Sequence, residues 1–414
     1  MFIDKKNVKL LSPAGNFSCL IAAINGGADA IYFGIEHLNM RSRSSKNFKI
    51  EDIKYISNIC KSNNILSCLA INTILYDHDL SFAKKIIDKA KEFKIDSLIL
   101  MDQSVIQYAK NIGIKIHLST QLNINNIEMV KFYSKFSDII VLSRELSLTQ
   151  IKRIIYKINK FNIRGPSGNL LKIEIFCHGA FCMAISGKCY LSLHSYNSSA
   201  NRGACKQNCR RKYILIDMET GFEIKVDNKY LMSSKDLCTI NFLDEIINSG
   251  INILKIEGRG RSTDYVYTTT KCYKEAIKSI YDNTFNKEKI NYWMNKLKEV
   301  YNRGFWSGYY LGQNIGEWVN SSGSISTNKK IYIGKIVNFY KKVKIGEFLI
   351  ESYNIKEYDK IIIIGNKTGI KKLIIKNPFV NGKKKKIVKK GEKFTITLNF
   401  RVRLSDKFYK LINR

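Results

Sequence analysis

An α/β fold, a TIM-type (β/α) barrel carrying a cysteine-bearing insertion and followed by a small C-terminal β-barrel, is predicted by three features of the sequence. Eight short apolar runs alternate with amphipathic stretches over the first three-quarters of the 414 residues. The seventh and eighth runs are separated by about 75 residues, where the connections of such folds usually take roughly two to six. The last fifth reads as short strands between Gly and Lys-rich turns. An open doubly wound sheet would alternate similarly, and the count of eight is what favours a closed barrel.

The runs are Val8–Leu11, Ala30–Gly34, Leu66–Asn72, Ser97–Met101, Lys115–Ser119, Asp138–Ser143, Lys172–Phe176 and Ile253–Glu257. Between them, Cys19–Gly26, Ile50–Ser62, Ser81–Phe93 and Leu148–Asn159 have helical periodicity. The long gap, about 177–240, contains most of the clustered cysteines and a hairpin pattern, Tyr213–Met218 and Phe222–Val226 about Glu219-Thr-Gly221. Two further helical stretches, Tyr265–Tyr281 and Lys287–Tyr301, complete a first domain over residues 1–318. Residues 319–330, rich in Ser, Asn and Gly, read as a linker. Ile331–Val337, Phe348–Tyr353, Lys360–Ile364 and Phe394–Phe400 read as strands of a second domain, 331–414.

An apolar content of 45% is enough to bury a large core. The start, Met1-Phe-Ile-Asp-Lys-Lys, lacks the apolar segment of a signal peptide, and no apolar run nears the roughly 20 residues that span a bilayer. The expectation is a cytoplasmic protein with no membrane partner. Ten cysteines are then unlikely disulfides, because that compartment keeps thiols reduced. Cys19, Cys60, Cys68, Cys238 and Cys272 are scattered among apolar neighbours and read as small buried hydrophobes. The net charge is +34 in a chain rich in Lys, Ile and Asn, so compositional bias supplies part of it. Residues 331–414 alone carry 22 Lys and Arg against 6 Asp and Glu, a net of +16, and that concentration favours a surface for phosphate contacts.

The other five cysteines lie in Cys177-His-Gly-Ala-Phe-Cys182, Cys189, and Asn201-Arg-Gly-Ala-Cys205-Lys-Gln-Asn-Cys209-Arg-Arg. Four soft thiolates suit either a 4Fe-4S cluster or a single zinc. The spacing from Cys182 through Cys189 and Cys205 to Cys209 matches neither the paired C-x2-C of zinc ribbons nor a ferredoxin run, and by itself leaves both open.

This stretch resembles the signature of the collagenase-like peptidases of unassigned mechanism, family 32. So do Leu11-Ser-Pro-Ala-Gly15, Gly27-Ala-Asp-Ala-Ile-Tyr-Phe-Gly34, Met40-Arg-Ser-Arg43, Leu142-Ser-Arg-Glu-Leu-Ser147, Tyr230-Leu-Met-Ser-Ser-Lys-Asp-Leu237 and Leu254-Lys-Ile-Glu-Gly-Arg259. The resemblance spans essentially the whole chain. Length and the single C-terminal barrel are more similar to the branch that hydroxylates the tRNA wobble uridine than to the longer ribosomal-RNA cytidine hydroxylases or the barrel-less ubiquinone-hydroxylation proteins. It implies 5-hydroxyuridine formation in tRNA, prephenate as a required metabolite, and a 4Fe-4S cluster on Cys182, Cys189, Cys205 and Cys209. Cys177 stands where relatives usually carry an aliphatic residue, which leaves it open, with Cys238, as an alternative ligand.

In a parallel barrel the residues just after each strand meet on one rim. Arg41 and Arg43 follow the second strand, Arg144 and Glu145 the sixth, His178 the seventh, and Glu257 and Arg259 the eighth. The guanidiniums would bind a dicarboxylate such as prephenate through bidentate charge-assisted bonds. His178, Glu145 and Glu257 are the candidate acid–base groups, with structural ion pairs and a satisfied structural histidine as the plainer roles. His117 and Gln121 end the fifth strand on the same rim, as base contacts or polar lining. Arg202, Arg210 and Arg211 flank the cysteines, where they would tune the thiolates or meet phosphate. Lys383, Lys384, Lys385 and Lys386 form either a solvated turn or an RNA-backbone contact, with Tyr332, Phe339, Tyr340 and Phe400 as possible stacking faces. The expected division of labour puts chemistry in the first barrel and the tRNA grip in the second. Proteolysis is the competing activity, although the sequence has no His-Glu-x-x-His motif and no Gly-x-Ser-x-Gly elbow. A non-enzymatic RNA-binding protein with a structural zinc is the third reading.

Overall fold

A computed structural model describes residues 8–43, 47–224, 230–312 and 316–414. Strands β1 (Lys9–Pro13), β2 (Ala30–Gly34), β3 (Leu66–Ile71), β4 (Ser97–Leu100), β5 (Lys115–Leu118), β6 (Ile139–Val141) and β7 (Lys172–Ala180) each pair in parallel with the next. Helices α1 (Phe17–Asn25), α2 (Asp52–Ser62), α3 (Asp77–Glu92), α4 (Gln103–Asn111), α5 (Ile127–Ser134) and α6 (Leu148–Lys160) make the crossovers. Their starts are set by side chains that accept otherwise orphaned amides: Asn16, Asp102 and Asn126 cap α1, α4 and α5, and Ser147 with Gln150 forms a capping box on α6. Ile and Leu on their inner faces pack on the strands as one continuous core.

After β7 comes the insertion, with the short helix α7 (Leu191–Tyr196), the hairpin β8 (Leu215–Ile216) and β9 (Glu223–Ile224), and β10 (Asp236–Cys238). Lys225 and Val226 of the predicted hairpin lie outside the described residues. β10 is not apparent as a strand in the sequence. It runs antiparallel to the overhanging end of β7, pairing Asp236 with Ala180 and Cys238 with His178. Helix α8 (Leu243–Asn248) then leads to β11 (Ile253–Ile256), which pairs in parallel with β7 and with β1 and closes the eight-stranded barrel. Helices α9 (Thr263–Tyr281) and α10 (Lys287–Glu299) follow, and β12 (Phe305–Trp306) adds to β10. Among the described residues, no helix is long and apolar enough to cross a membrane.

The C-terminal strands are β13 (Asn328–Tyr340), β14 (Ile345–Ile350), β15 (Ile355–Lys356), β16 (Lys360–Gly365), β17 (Gly369–Ile374), β18 (Phe379–Val380), β19 (Lys383–Lys384), β20 (Ile387–Val388), β21 (Lys393–Thr397) and β22 (Lys407–Asn413). Eight form one antiparallel sheet in the order β17-β16-β22-β13-β14-β21-β18-β19, while β15 pairs with β20. The sheet has its own core, in which Phe348 stacks on Phe394 at 4.9 Å and meets Phe408 edge-on at 5.2 Å. Its other face joins the barrel: Ile362 and Ile370 are buried in the barrel's own hydrophobic cluster. The stretch expected to be a linker is tied down. The Ile325 amide donates to Asn302 O at 2.9 Å and the Thr327 amide to Lys298 O at 2.9 Å, and β13 already begins at Asn328. A polar Ser and Asn stretch lying on folded backbone satisfies its amides there and ceases to be a spacer.

Inside the barrel, Glu174 takes Lys255 Nζ at 2.9 Å on one oxygen and His117 Nδ1 at 2.7 Å on the other. All three are buried, so His117 belongs to this interior triad and is not a rim group. Burial alone would push the Glu174 carboxyl up, but Lys255 and His117 outweigh it and hold it at about 2. Glu174→Gln leaves Lys255 as an uncompensated buried charge and should cost about 3–5 kcal/mol at neutral pH. Because the folded value lies below the ordinary 4.5, the carboxylate's contribution is complete above pH 4.5 and is lost as pH falls toward 2. The difference in urea unfolding between wild type and variant should therefore shrink across that window. A difference that held constant through it would locate the stabilisation elsewhere.

Candidate active site

Chain ends leaving β2, β6, β7 and β11 meet the insertion at the C-terminal rim of the barrel. They enclose a cavity of about 160 Å³ lined by Arg41, Arg144, Cys182, Cys205, Cys209 and Glu257 among others. Two local irregularities in β7 aim the chain there. Opposite β11 the pairing steps from Phe176 with Lys255 to His178 with Ile256, so Cys177 is the extra residue of a β-bulge. Gly179 then adopts φ +106°, and a Cβ on it would lie 2.3 Å from Glu257 O. Only glycine allows this approach, which carries Phe181 and Cys182 over the barrel mouth.

Glu257 sits at the centre of the charge. Arg41 donates to Glu257 Oε1 from Nη2 at 2.7 Å and Nε at 3.2 Å, and the Tyr32 hydroxyl is 3.3 Å from Oε2. Burial would raise this carboxyl, but Arg41, Arg259 and Arg144 hold it at about 2. Arg144 is sandwiched between the rings of Phe176 and Phe181, 4.7 and 4.4 Å from their centroids, and donates to Ala180 O at 3.0 Å. Its Nε is buried with no partner. Arg210 donates to Phe181 O at 2.5 Å and Ser233 Oγ at 3.1 Å, locking the segment before Cys182 to the turn after Cys209.

Arg261 and Arg303 also line the cavity and were not found from the sequence. Both rest on the carboxylate of Asp236, at 3.8 and 3.5 Å, and Arg261 lies 3.8 Å over the Tyr301 ring. Arg261 was within reach of a sequence reading, two residues past Arg259 on the same strand end. Arg303 was not, because two helices separate it from any rim strand and only the pairing of β12 with β10 brings it in.

The predicted rim group divides accordingly. Arg259 is buried and donates to Asn39 Oδ1 at 2.9 Å, the same oxygen that takes the Arg41 amide at 3.1 Å. It holds the loop that presents Arg41 and does not face the cavity. Arg43 is exposed and lines a separate cleft of about 270 Å³ with Arg202. Glu145 is exposed, does not line the cavity, and has no ion pair among the described residues. The structure therefore does not bring it to the acid–base position expected of it. His178 is not there either: it is buried against Tyr265, Tyr273 and Phe305, with Nδ1 3.4 Å from the Tyr273 hydroxyl. Burial, aided by Arg261, brings it down to about 3, so at neutral pH it is an uncharged packing residue.

Six of the ten cysteines are buried, and Cys182, Cys189, Cys205 and Cys209 are the four that are not. Three of the four line the cavity. Cys189 is close enough to Cys182 and Cys205 to feel their charge, and Cys209 to feel that of the other three. Cys177 points elsewhere, its thiol donating to Lys255 O at 3.4 Å, and Cys238 lies against Met294 and Tyr273. Neither can stand in as a ligand without rebuilding the core. Among the described residues no three His, Cys, Asp or Glu side chains gather as one metal ion would require. Three of the thiols border the cavity with Arg210 beside them, and soft sulfur donors of this kind suit an iron–sulfur cluster or a zinc ion.

Of the remaining predicted cations, Arg202 is taken up by Asp79 at 2.7 Å and the Tyr76 ring at 4.0 Å, fastening the turn before Cys205 to the barrel. Arg211 is exposed over the Tyr196 ring. Lys384 pairs with Glu357 at 3.3 Å and Lys385 with Glu392 at 2.5 Å, while Lys383 and Lys386 are exposed.

Exposure predicts thiol reactivity directly. Metal-free protein treated briefly with iodoacetamide at neutral pH should be alkylated first at Cys182, while Cys60, Cys68, Cys177, Cys238 and Cys272, all raised by burial, stay unmodified in peptide mass spectra. Early labelling of Cys177 would mean that the bulge does not bury it.

Comparison with known proteins follows the same division of the chain. The profile of peptidase family U32 matches residues 15–320. A collagenase of Porphyromonas gingivalis is 46% identical over 414 residues, covering all of both chains. The tRNA hydroxylation protein P of Helicobacter pylori is 34% identical over 315 residues, covering 73% of this chain and 72% of that one. A 23S ribosomal-RNA 5-hydroxycytidine synthase of Escherichia coli is 34% identical over 282 residues, 68% of this chain and 41% of that one. With the barrel matched from its first helix to the end of its last rim segment, this chain belongs to peptidase family U32.

Proposed function

We propose that this protein hydroxylates RNA, and that its substrate is the wobble uridine of tRNA, converted to 5-hydroxyuridine. The observation that carries the reading is the meeting of three accessible thiols, Cys182, Cys205 and Cys209, with five guanidiniums on one rim cavity, Cys189 being the fourth cysteine that is not buried. Two of the relatives named above carry names of RNA hydroxylation, and they match 73% and 68% of this chain. Replacing a base C–H by C–OH removes two electrons from the base, so the site calls for a redox group. A 4Fe-4S cluster held by Cys182, Cys189, Cys205 and Cys209 would supply one-electron chemistry there. Arg41, Arg144, Arg261 and Arg303 are suited to a dicarboxylate, and we assign prephenate to them as the required metabolite. Glu257 keeps Arg41 oriented and stays ionised across the physiological range, which makes it a positioning group and excludes it as a general acid. The C-terminal sheet provides the basic surface for tRNA, and the protein works in the cytoplasm.

Peptide hydrolysis is the second reading, favoured by the collagenase matched over its full length. It would need Cys182 as nucleophile, and no histidine lines the cavity to activate it. Casein turnover by metal-free protein would establish that reading against the first.

Nucleosides from the tRNA of cells lacking this gene should show no 5-hydroxyuridine, with the signal restored by wild type but not by Cys209→Ser. An unchanged nucleoside profile would refute the assignment. Anaerobically purified protein should contain about four irons and four sulfides per chain. Each of Cys182→Ser, Cys189→Ser, Cys205→Ser and Cys209→Ser should lose them, while Cys60→Ser keeps them. Stoichiometric zinc in place of iron would decide for the structural-metal reading.

A further inference from the structure

The seam between the barrel and the C-terminal sheet encloses a cavity of about 580 Å³, well within the size of small-ligand clefts. Four lysines reach it from both sides: Lys271 of α9 and Lys296 of α10 from the barrel, Lys371 and Lys372 of β17 from the sheet. Three rings lie among them, each with an ammonium above it: Lys271 over Tyr267 at 5.8 Å, Lys296 over Tyr292 at 5.8 Å and Lys371 over Phe400 at 5.7 Å. The carboxylates do not balance this charge. Glu275 lies 3.8 Å from Lys271 and also accepts the Trp293 indole N–H at 3.0 Å, Glu299 takes Lys296 at 2.7 Å with Lys372 at 4.0 Å, and Lys371 has no carboxylate among the described residues.

We infer that this seam cavity seats a nucleotide of the RNA substrate, its phosphate on the lysines and its base against an aromatic ring. The inference rests on the RNA reading above and specifies where the RNA is gripped. Ammonium groups alternating with rings are what single-stranded RNA meets on its protein partners. The Lys383–Lys386 turn is the poorer candidate, because two of its four lysines are already paired and it lines none of the cavities described above. The position also suits the chemistry. Helix α9 starts at Thr263, two residues past Arg261 of the rim cavity, and its stretch from Tyr267 to Glu275 lies roughly 6–18 Å along the axis from that start at about 1.5 Å per residue. RNA held in the seam therefore lies along the wall that leads to the rim.

The test is a salt titration of tRNA binding by the full-length holoprotein, read by fluorescence anisotropy, with thermal unfolding as the check on folding. The Lys271→Glu, Lys371→Glu double variant should bind at least tenfold more weakly and show a log–log salt slope smaller by roughly 1.5, since each phosphate that is no longer neutralised lowers it by about 0.7–0.9. Lys383→Glu with Lys386→Glu should stay within about twofold of wild type. Should the double charge reversal prevent folding, Lys371→Gln replaces it, with half the expected change in slope. Wild-type affinity in the seam variants, alongside binding by wild type, overturns the seam and leaves the RNA reading intact. Absence of tRNA binding by wild type itself overturns both.

Discussion

Guanidiniums repel one another, and five of them share a small cavity here. The carboxylates of Glu257 and Asp236 make this arrangement possible. Asp236 is buried and Glu257 largely so, each faces more than one arginine, and each stands at the end of a strand that helps complete the sheet. Glu257 holds Arg41 directly and stabilises Arg144 at longer range, while Asp236 sits between Arg261 and Arg303. The pairs leave a net positive cavity whose donors are already oriented, so little ordering remains when an anion arrives. Without those two carboxylates the same arginines would have to turn outward into water.

The barrel supplies the geometry that this charge requires. β11 brings Glu257 and Arg261 to the same rim as β2 and β6 because it pairs with both β1 and β7. The overhang of β7 then serves as a rail for β10, and β10 for β12. One short antiparallel extension thereby draws Asp236 and Arg303 to a cavity otherwise built from parallel strand ends. The bulge at Cys177 and the glycine two residues on set the direction of that rail.

Most of the barrel was legible in the sequence because fully buried parallel strands must be apolar throughout, and runs such as Ala30–Gly34 and Ser97–Met101 leave little room for another reading. A cluster of five cysteines was legible too, but only the structure sets Cys177, buried in its strand, apart from the other four. Single polar residues were less so. Glu145 follows its strand as expected yet faces solvent, while β7 runs on to Ala180 and so keeps His178 inside the strand, turned inward among aromatic rings. Arg259 was expected in the cavity and instead braces Asn39 behind it. β10 and β12, three and two residues long, carry no periodicity of their own and exist only because β7 offers an edge to β10 and β10 one to β12. The lysines of the seam became a group only when the second domain was seen to dock on α1 and α9.

That docking has a consequence for how the chain is made. β1 precedes its partner β11 by some 240 residues, and α1 precedes α9 by a similar span and β17, whose Gly369 settles against Ile21 and Asn25, by some 350. Contacts of such long sequence separation form slowly, and an unpaired apolar strand is prone to pairing with another chain in the meantime. A fragment that stops before β11 thus keeps β1 as an unpaired apolar edge.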